Sequence, residues 1–232
     1  MSNDITVIYY TANTIADHFA MKIRAHLVSV CSPLKIPIVC VCQKPMSWTM
    51  AEVIHVEELI PSVYNVYKQI FIGAKIVKTP YVACCEDDSL YTSEHFDFRP
   101  TEDVFLYNKN RWRIYPDFFL FKRRSDPTSP GMWNCIAPTE LMIKTLETRF
   151  KKYPEPSSMV HWGEPGRYEG RLGLPRVKAY NFQTKIPNLT FAHRGSLGGV
   201  RKVGPNDITI SELPAWGTAK SLWEAAWDGK SD

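Results

Sequence analysis

The sequence predicts an α/β fold, in which a Rossmann-like, mostly parallel sheet has helices on both faces and an irregular C-terminal half follows. Strand-like and helix-like segments alternate between residues 5 and 85, which indicates right-handed crossovers between parallel strands. Two strand-like segments, at residues 36–42 and 81–85, are continuous apolar runs, as expected of strands covered on both faces. No linker interrupts the 232 residues, so we expect a single domain over residues 1–232.

The elements of the first half follow from hydrophobic spacing and from cap and stop residues. Residues 5–11 are β-branched and aromatic, which favours a strand, and apolar residues recur every three or four positions in both predicted helices. Pro80 ends the second helix because it restricts the residue before it. The predicted order is a strand at 5–11, a helix capped by Asn13 or Thr14 and ending near Val30, strands at 36–42 and 53–56, a helix from Pro61 or Ser62 to about Lys78, and a strand at 81–85.

The second half has weaker periodicity. It is predicted to contain meander strands at 104–107 and 118–121, a Pro/Gly loop at 127–134, a helix capped by Thr139 and ending near Lys152, a loop at 154–175, strands at 177–182 and 189–192 that return to the sheet, and a helix at 218–227.

Composition excludes several classes of protein. Hydrophobic residues make up 44% and charged residues 22% of the chain, which is ordinary for a globular protein and excludes a disordered, collagen-like or coiled-coil chain. No apolar run approaches the ~18 residues of a membrane span, so no membrane partner is expected. The N-terminus lacks a basic region, so no signal peptide is expected either.

Charge is unevenly distributed along the chain. Residues 1–108 carry 8 Lys/Arg and 12 Asp/Glu, whereas residues 109–232 carry 20 Lys/Arg and 12 Asp/Glu. The acidic half is suited to a cation and the basic half to phosphate, from a nucleotide or a nucleic acid. A solvated basic face is the alternative interpretation.

The six cysteines predict an intracellular protein without a structural metal site. Most of them lie in apolar runs, where cysteine is a small buried residue, and no pair of CxxC units suggests structural zinc. A reducing, cytoplasmic location is therefore the simplest expectation.

An acidic triplet, Glu86-Asp87-Asp88, follows the apolar strand at 81–85. Ligands of open α/β sheets bind beyond the carboxyl ends of the strands, and Mg²⁺ or Mn²⁺ prefers carboxylate oxygens shared with substrate phosphates. The triplet therefore predicts a divalent metal that neutralises a diphosphate leaving group. An acidic turn that caps the next segment is the alternative.

This layout resembles the GT-A fold of nucleotide-sugar glycosyltransferases over roughly residues 5–195, with the metal motif DxD of that fold in the variant EDD. The segment 81–91 (YVACCEDDSLY), with Tyr67-Lys68-Gln69 and Gly73-Ala74 upstream, is also similar to a phage-associated GT-A group that glycosylates hydroxymethylated pyrimidines in DNA. The resemblance implies a UDP-sugar donor, Mn²⁺ or Mg²⁺ as cofactor, and 5-hydroxymethylcytosine in DNA as acceptor. For a phage-encoded enzyme the location is the host cytoplasm.

The resemblance also implies roles for particular residues. Asp88 is the most direct metal ligand, Glu86 lies towards the sugar nucleotide, and His193 completes the metal shell. Gly131 lies on a loop that faces the donor sugar. Glu164 is the catalytic base for the acceptor hydroxyl, with Glu169 as the reserve, although Pro165 stands where the family usually has the second residue of a Glu-Asp pair.

Further donor contacts are expected around the first strand and the late basic segment. The residues concerned are Tyr10, Thr11 and Ala12 at the end of the strand, Asp87 in the triplet, Lys68 with Gln69 on the second helix, and Arg194 beside Gly195. A mobile, Gly-rich basic segment can close over a diphosphate. Packing of the tyrosines and solvation of the charges are the alternatives.

The acceptor is predicted from basic residues interleaved with aromatic ones, of which Lys109, Arg111, Trp112 and Arg113 form the densest group. Nucleic-acid binders combine phosphate-neutralising cations with stacking rings, and Trp112, Trp133 or Trp162 would support a base extruded from the duplex. Tryptophans in the core and charges spread over the surface are an equally weighted interpretation.

These observations divide the domain into a nucleotide-sugar-binding half at 1–108 and an acceptor-facing half at 109–232. Three other functions stay open: a glycosyltransferase acting on a glycan or protein, a non-catalytic nucleic-acid-binding module, and a nucleotidyltransferase. No GxxxxGK[ST] loop is present, which argues against an ATPase.

Overall fold

The computed structural model describes residues 4–57, 62–124, 131–156, 163–193, 204 and 206–227. Within them the strands are β1 (Ile5–Thr11), β2 (Ile38–Cys42), β3 (Glu52–His55), β4 (Tyr81–Glu86), β5 (Ser89–Leu90), β6 (Val104–Asn108), β7 (Arg111–Tyr115), β8 (Leu120–Arg124), β9 (Cys135–Pro138), β10 (Lys178–Phe182), β11 (Asn188–Phe191), β12 (Asp207–Ile210), β13 (Glu212–Leu213) and β14 (Gly217–Thr218). The helices are α1 (Asp17–Cys31), α2 (Val63–Ile76), α3 (Thr139–Lys152) and α4 (Ala219–Trp227). None of these helices has the length and apolar character needed to cross a bilayer.

The larger sheet has seven strands in the order β10-β6-β9-β4-β1-β2-β3. Strand β9 runs antiparallel to both of its neighbours, and every other pair in this sheet is parallel. The predicted mostly parallel α/β fold is confirmed. Strands β9 and β10 come from the second half of the chain, so this sheet draws strands from both sides of residue 108.

Helices cover both faces of the larger sheet, as predicted. Helix α1 packs with Val7 and Tyr9 on one face, and helices α2 and α3 pack with Ile8 and Tyr10 on the other. Helix α2 approaches β1 closely at Gly73, where an added Cβ would lie 2.7 Å from Ile8 Cγ2. The prediction that the cysteines are buried is also confirmed, because all six thiols are free and buried.

The smaller sheet has five strands in the order β12-β8-β7-β11-β5. Its apolar face, which includes Trp112, Ile114 and Phe191, packs with Trp223 and Trp227 of α4. Strand β5 is the link to the larger sheet because it begins three residues after the end of β4. The turn between the two strands holds most of the acidic triplet.

Two predictions of strand placement are wrong. Strands β6 and β8 do not form a meander, because β6 lies in the larger sheet between β10 and β9 whereas β8 lies in the smaller sheet between β12 and β7. Strand β11 joins the smaller sheet rather than returning to the larger one. Strand β7 was not predicted, and it is the partner that both β8 and β11 require.

The predicted caps of α1 and α3 are also wrong. Asn13 adopts φ +53°, and its Oδ1 accepts hydrogen bonds from the backbone N–H groups of Gln43 and Lys44, so it joins two loops and α1 begins later. Thr139 donates its hydroxyl to the carbonyl oxygen of Thr79 and is the first residue of α3 rather than its cap. Ser62, by contrast, caps α2 through Asn65 N–H.

Candidate active site

The acidic triplet lies where the two sheets meet. Glu86 is the last residue of β4, Asp87 is in the turn, and Asp88 immediately precedes β5. The backbone carbonyl of Asp88 accepts a hydrogen bond from Phe191 N–H of β11 at 2.9 Å. The triplet is therefore fixed to the carboxyl end of the larger sheet and to the smaller sheet at once.

Glu86 is paired with β1. Tyr10 stands opposite Glu86 in the parallel register and donates its phenol hydrogen to Glu86 Oε1 at 2.8 Å. The backbone N–H of Glu86 donates to Tyr91 Oη at 3.0 Å. Burial and then the charge of Asp88 raise the pKa of Glu86 to about 8, while the Tyr10 hydrogen bond and Arg113 act in the opposite direction.

Asp87 is paired with Thr11 at the end of β1. The Thr11 hydroxyl donates to Asp87 Oδ2 and accepts from Asn13 N–H at 2.9 Å. Burial and then the charge of Asp88 raise the pKa of Asp87 to about 7. The three acidic groups therefore repel one another in a buried place, which is the electrostatic condition in which a cation stabilises them.

Asp88 and His193 face each other. Asp88 Oδ1 accepts hydrogen bonds from Ser89 Oγ at 2.8 Å and Thr190 Oγ1 at 3.1 Å, which fixes the carboxylate. Asp88 Oδ2 lies 3.4 Å from His193 Nε2, and both side chains are about nine-tenths buried or more. A carboxylate oxygen and an imidazole nitrogen at this separation suit a shared divalent cation.

The three predicted metal ligands are not arranged around one point. Among the described residues no group of three or more His, Cys, Asp or Glu side chains is set to hold a metal ion. Asp88 and His193 are brought together, whereas Glu86 is engaged by Tyr10. The carboxylate of Asp88 and the imidazole of His193 fit a divalent metal ion, and the participation of Glu86 as a ligand stays a prediction.

Glu164 and Gly131 are in direct contact. The backbone N–H of Gly131 donates to Glu164 Oε1 at 3.1 Å. Gly131 has φ +76°, and an added Cβ would lie 2.8 Å from Trp133 Nε1 and 3.6 Å from Arg111 Nη1, so the position requires glycine. The predicted donor-sugar loop and the predicted base thus form one group, with Arg111 beside it.

A buried ion pair holds the loop that carries Glu164. Arg149 of α3 is fully buried; its Nε donates to Glu169 Oε1 at 2.8 Å and its Nη1 donates to the Gly163 carbonyl at 2.7 Å. Glu169 Oε2 also accepts from Gly166 N–H at 2.6 Å. Both carboxylate oxygens of Glu169 are therefore engaged in a buried place, and its role as reserve base stays a prediction.

The remaining residues predicted to bind the donor are Ala12, Lys68 and Arg194, together with Gln69. Ala12 is half-buried at the end of β1, and Lys68 is exposed on α2. Gln69, next to Lys68, is buried and donates to the carbonyls of Thr11 and Val41, so it joins β1 to β2. Arg194 lies outside the described residues, as does Trp162, while Trp112 and Trp133 are buried in the core.

Two arginines of β7, which were predicted as part of a basic and aromatic group that binds the acceptor, lie beside the candidate site. Trp112 and Ile114 face α4, so Arg111 and Arg113 alternate onto the opposite face of the smaller sheet. The charge of Arg113 acts on Glu86, and that of Arg111 acts on Glu164. The alternation R-W-R-I-Y is the signal that would have identified a half-buried strand with its arginines on one face.

Among known proteins, no family model and no curated protein matches the sequence. Similar solved structures include a glycosyltransferase involved in glycosylation of the major capsid of PBCV-1, at 10% identity and a TM-score of 0.44 over 80% of this chain and 91% of the other. They also include S. aureus TarS in complex with UDP-GlcNAc, at 13% identity and a TM-score of 0.46 over 87% of this chain and 62% of the other.

An inositol-1-phosphate CTP transferase from T. maritima is similar as well, at 11% identity and a TM-score of 0.44 over 81% of this chain and 88% of the other. At these identities and scores, function has to be inferred from the residues of this chain.

Proposed function

We propose that the protein is a metal-dependent glycosyltransferase of the GT-A type that transfers a sugar from a UDP-sugar to a hydroxyl group. The observation that carries the proposal is the meeting of Asp88 with His193 at the carboxyl end of β4. The candidate base Glu164 accepts a hydrogen bond from Gly131 N–H, and its charge interacts favourably with that of Arg111 on β7.

The metal would be held by Asp88 and His193, with Glu86 as the predicted third ligand. A divalent ion there supplies positive charge that stabilises the diphosphate leaving group. The chain's own contribution is orientation: Ser89 and Thr190 fix one oxygen of Asp88, which leaves the other directed at the imidazole. Tyr10 and Thr11 keep Glu86 and Asp87 in place at the end of β1, where the nucleotide is proposed to bind.

Donor binding is proposed to use Tyr10, Thr11, Ala12, Lys68, Asp87, Gly131 and Arg194. In an inverting reaction Glu164 accepts the proton of the acceptor hydroxyl, and Glu164 Oε1 is held by Gly131 N–H for that purpose. In a retaining reaction no such base is required, and Glu164 has another role.

The acceptor we propose is 5-hydroxymethylcytosine in DNA. Support comes from the resemblance of residues 81–91 to the phage-associated group and from the basic second half of the chain. The two arginines that β7 directs at the site suit an acceptor that carries phosphate. The experiment below tests the DNA acceptor against two alternatives. These are a glycosyltransferase that acts on a glycan or protein, and a non-catalytic nucleic-acid-binding module.

One reaction with two readouts tests the proposal. Protein, Mn²⁺, a pool of UDP-sugars and DNA that contains 5-hydroxymethylcytosine are incubated, free UDP is assayed, and the DNA is digested to nucleosides for mass spectrometry. We expect UDP release together with a hexose or pentose mass gain on the modified base. Release of UDP without a DNA adduct would reject the DNA acceptor and keep the enzyme class; DNA binding with no UDP release at any metal concentration would favour the binding module.

A further inference from the structure

Arg111 and Arg113 lie side by side on the face of β7 that is turned towards the candidate site. Arg113 stands opposite Thr190, whose hydroxyl contacts Asp88, so Arg113 is level with the metal ligand. Arg111 stands opposite Asn188 and approaches Gly131 beside Glu164. Two residues of strand span about 6.6 Å, so the two side chains leave β7 at neighbouring levels, one level with Asp88 and the other beside Gly131 and Glu164.

Arg113 has unused hydrogen-bonding capacity. It is half-buried, and the described residues give it no hydrogen-bond or ion-pair partner, although a guanidinium carries five N–H donors. Lys122, directly opposite on β8, shows the contrast, because its ammonium forms an ion pair with Asp207 at 2.9 Å where both side chains are about a tenth exposed. Lys122 is thus neutralised within the smaller sheet, whereas the charge of Arg113 acts on Glu86 at the site.

The two arginines also act on each other. Burial and then the charge of Arg113 lower the pKa of Arg111 to about 10. Glu164 acts on Arg111 in the favourable direction, and Glu86 and Arg113 likewise attract each other. An anion in front of the two guanidinium groups would reduce their repulsion further, and planar guanidinium groups bind phosphate oxygens with paired hydrogen bonds.

From this geometry we infer that Arg111 and Arg113 form a phosphate-binding pair for the acceptor substrate, beside the donor site rather than within it. The inference rests on the proposed function, in which the donor diphosphate is neutralised by the metal on Asp88 and His193. Arg111 adjoins Glu164, the group that faces the acceptor hydroxyl. The pair therefore positions a phosphate of the acceptor while its hydroxyl is presented to Glu164.

Inorganic phosphate is the probe that tests the inference without turnover. Phosphate is titrated calorimetrically into the full chain at low ionic strength, first alone and then with UDP and Mg²⁺ at saturating concentration. The variants are Arg113→Gln, Arg113→Lys and Arg111→Lys, with Lys144→Gln as the matched loss of one exposed positive charge on α3. Thermal unfolding of each variant establishes that it is folded.

We expect phosphate to bind in the presence of UDP, with affinity reduced at least about tenfold by Arg113→Gln and unchanged by Lys144→Gln. The phosphate affinity of Arg113→Lys should lie between those of the other two variants, because lysine keeps the positive charge but cannot form the paired hydrogen bonds of a guanidinium group. In turnover, Arg113→Gln should raise the KM for a phosphate-bearing acceptor about tenfold and leave the KM for the donor unchanged.

Three results would overturn the inference. They are no phosphate binding by the unmodified protein, equal phosphate affinity in Arg113→Gln and Lys144→Gln, and mutual displacement of phosphate and UDP with UDP binding also weakened by Arg113→Gln. The last would assign the arginines to the donor diphosphate. Failure of UDP to bind at all would instead reject the proposed function, and the comparison of phosphate affinities would still decide the role of the arginines.

Discussion

The two sheets differ in what lies on their faces. In the larger sheet every residue of β1 and β2 is buried, and the apolar faces of helices cover both sides. The smaller sheet is apolar only towards α4, and its other face carries Arg111, Arg113 and Thr190. The larger sheet therefore forms the buried core and fixes the positions of its strand ends, whereas the smaller sheet places charged side chains next to those ends.

The largest effect that this comparison predicts is on turnover. Asp88→Ala should abolish metal-dependent turnover of the donor while the protein stays folded, because it removes the carboxylate that Ser89 and Thr190 fix in front of His193. Turnover and thermal unfolding are measured in parallel. Asp103→Ala, the loss of an exposed acidic residue, is the control and should behave as the unmodified protein. Unchanged turnover in Asp88→Ala would remove the metal role.

The next largest effect is on stability, at the support beneath Glu164. Arg149→Met should lower the free energy of unfolding by about 3–5 kcal/mol, because it leaves Glu169 buried and unpaired. Denaturant titration measures this. The double variant Arg149→Met/Glu169→Leu should recover much of the loss, and Lys178→Met, in the exposed ion pair with Glu102, should show no measurable change. If Arg149→Met lowered the free energy of unfolding no more than Lys178→Met does, the Arg149–Glu169 ion pair would not stabilise the loop that carries Glu164.

A third effect joins stability to activity where the sheets meet. Gly131→Ala should destabilise by about 2 kcal/mol and reduce turnover, because the added Cβ clashes with Trp133 and strains the backbone that holds Glu164. Gly217→Ala is the matched control, since Gly217 has φ +75° with nothing within 4 Å of an added Cβ. Equal destabilisation in both variants would show that backbone conformation alone matters and that the contact with Trp133 does not.

The smallest effect concerns pH. His95 is fully buried among Tyr91, Phe96 and Phe182, and burial lowers its pKa to about 3. The unfolded chain therefore binds a proton that the folded chain excludes, so stability is retained above the unfolded-state pKa of about 6.5 and lost as pH falls below it.

Between pH 6.5 and 5.5 the unmodified protein should lose about 1 kcal/mol more than His95→Phe. Urea titrations of both proteins at the two pH values measure the difference. Identical pH dependence in the two proteins would contradict a neutral, buried imidazole at this position.

The same contrast explains what could be predicted from the sequence. Strands β1, β2 and β4 consist almost entirely of apolar, aromatic and β-branched residues, so their positions were predicted to within two residues. Strand β7 was missed because its alternation of arginine with apolar residues was interpreted as a basic, aromatic surface. Asn13 was predicted as a helix cap, but its partners are backbone groups 30 and 31 residues away, which no local pattern indicates.

The candidate site follows the same division. The acidic triplet was found because it directly follows an apolar strand. Asp88 Oδ2 lies 3.4 Å from His193 Nε2, and the role of both residues as metal ligands stays a prediction. The contact of Glu164 with Gly131 joins residues 33 positions apart through irregular backbone. The ion pair of Glu169 with Arg149 could not be predicted, because only the folded chain brings the two residues together.

The central claim is that the carboxyl end of β4 and the polar face of the smaller sheet together form a metal-dependent site for a nucleotide sugar. Calorimetric titration of UDP into the protein, with and without Mn²⁺, tests this most directly, with His193→Ala as the variant. We predict UDP binding that requires Mn²⁺ and is weakened at least about tenfold by His193→Ala. UDP binding that is indifferent to Mn²⁺ and to His193→Ala, or no UDP binding at all, would contradict the claim.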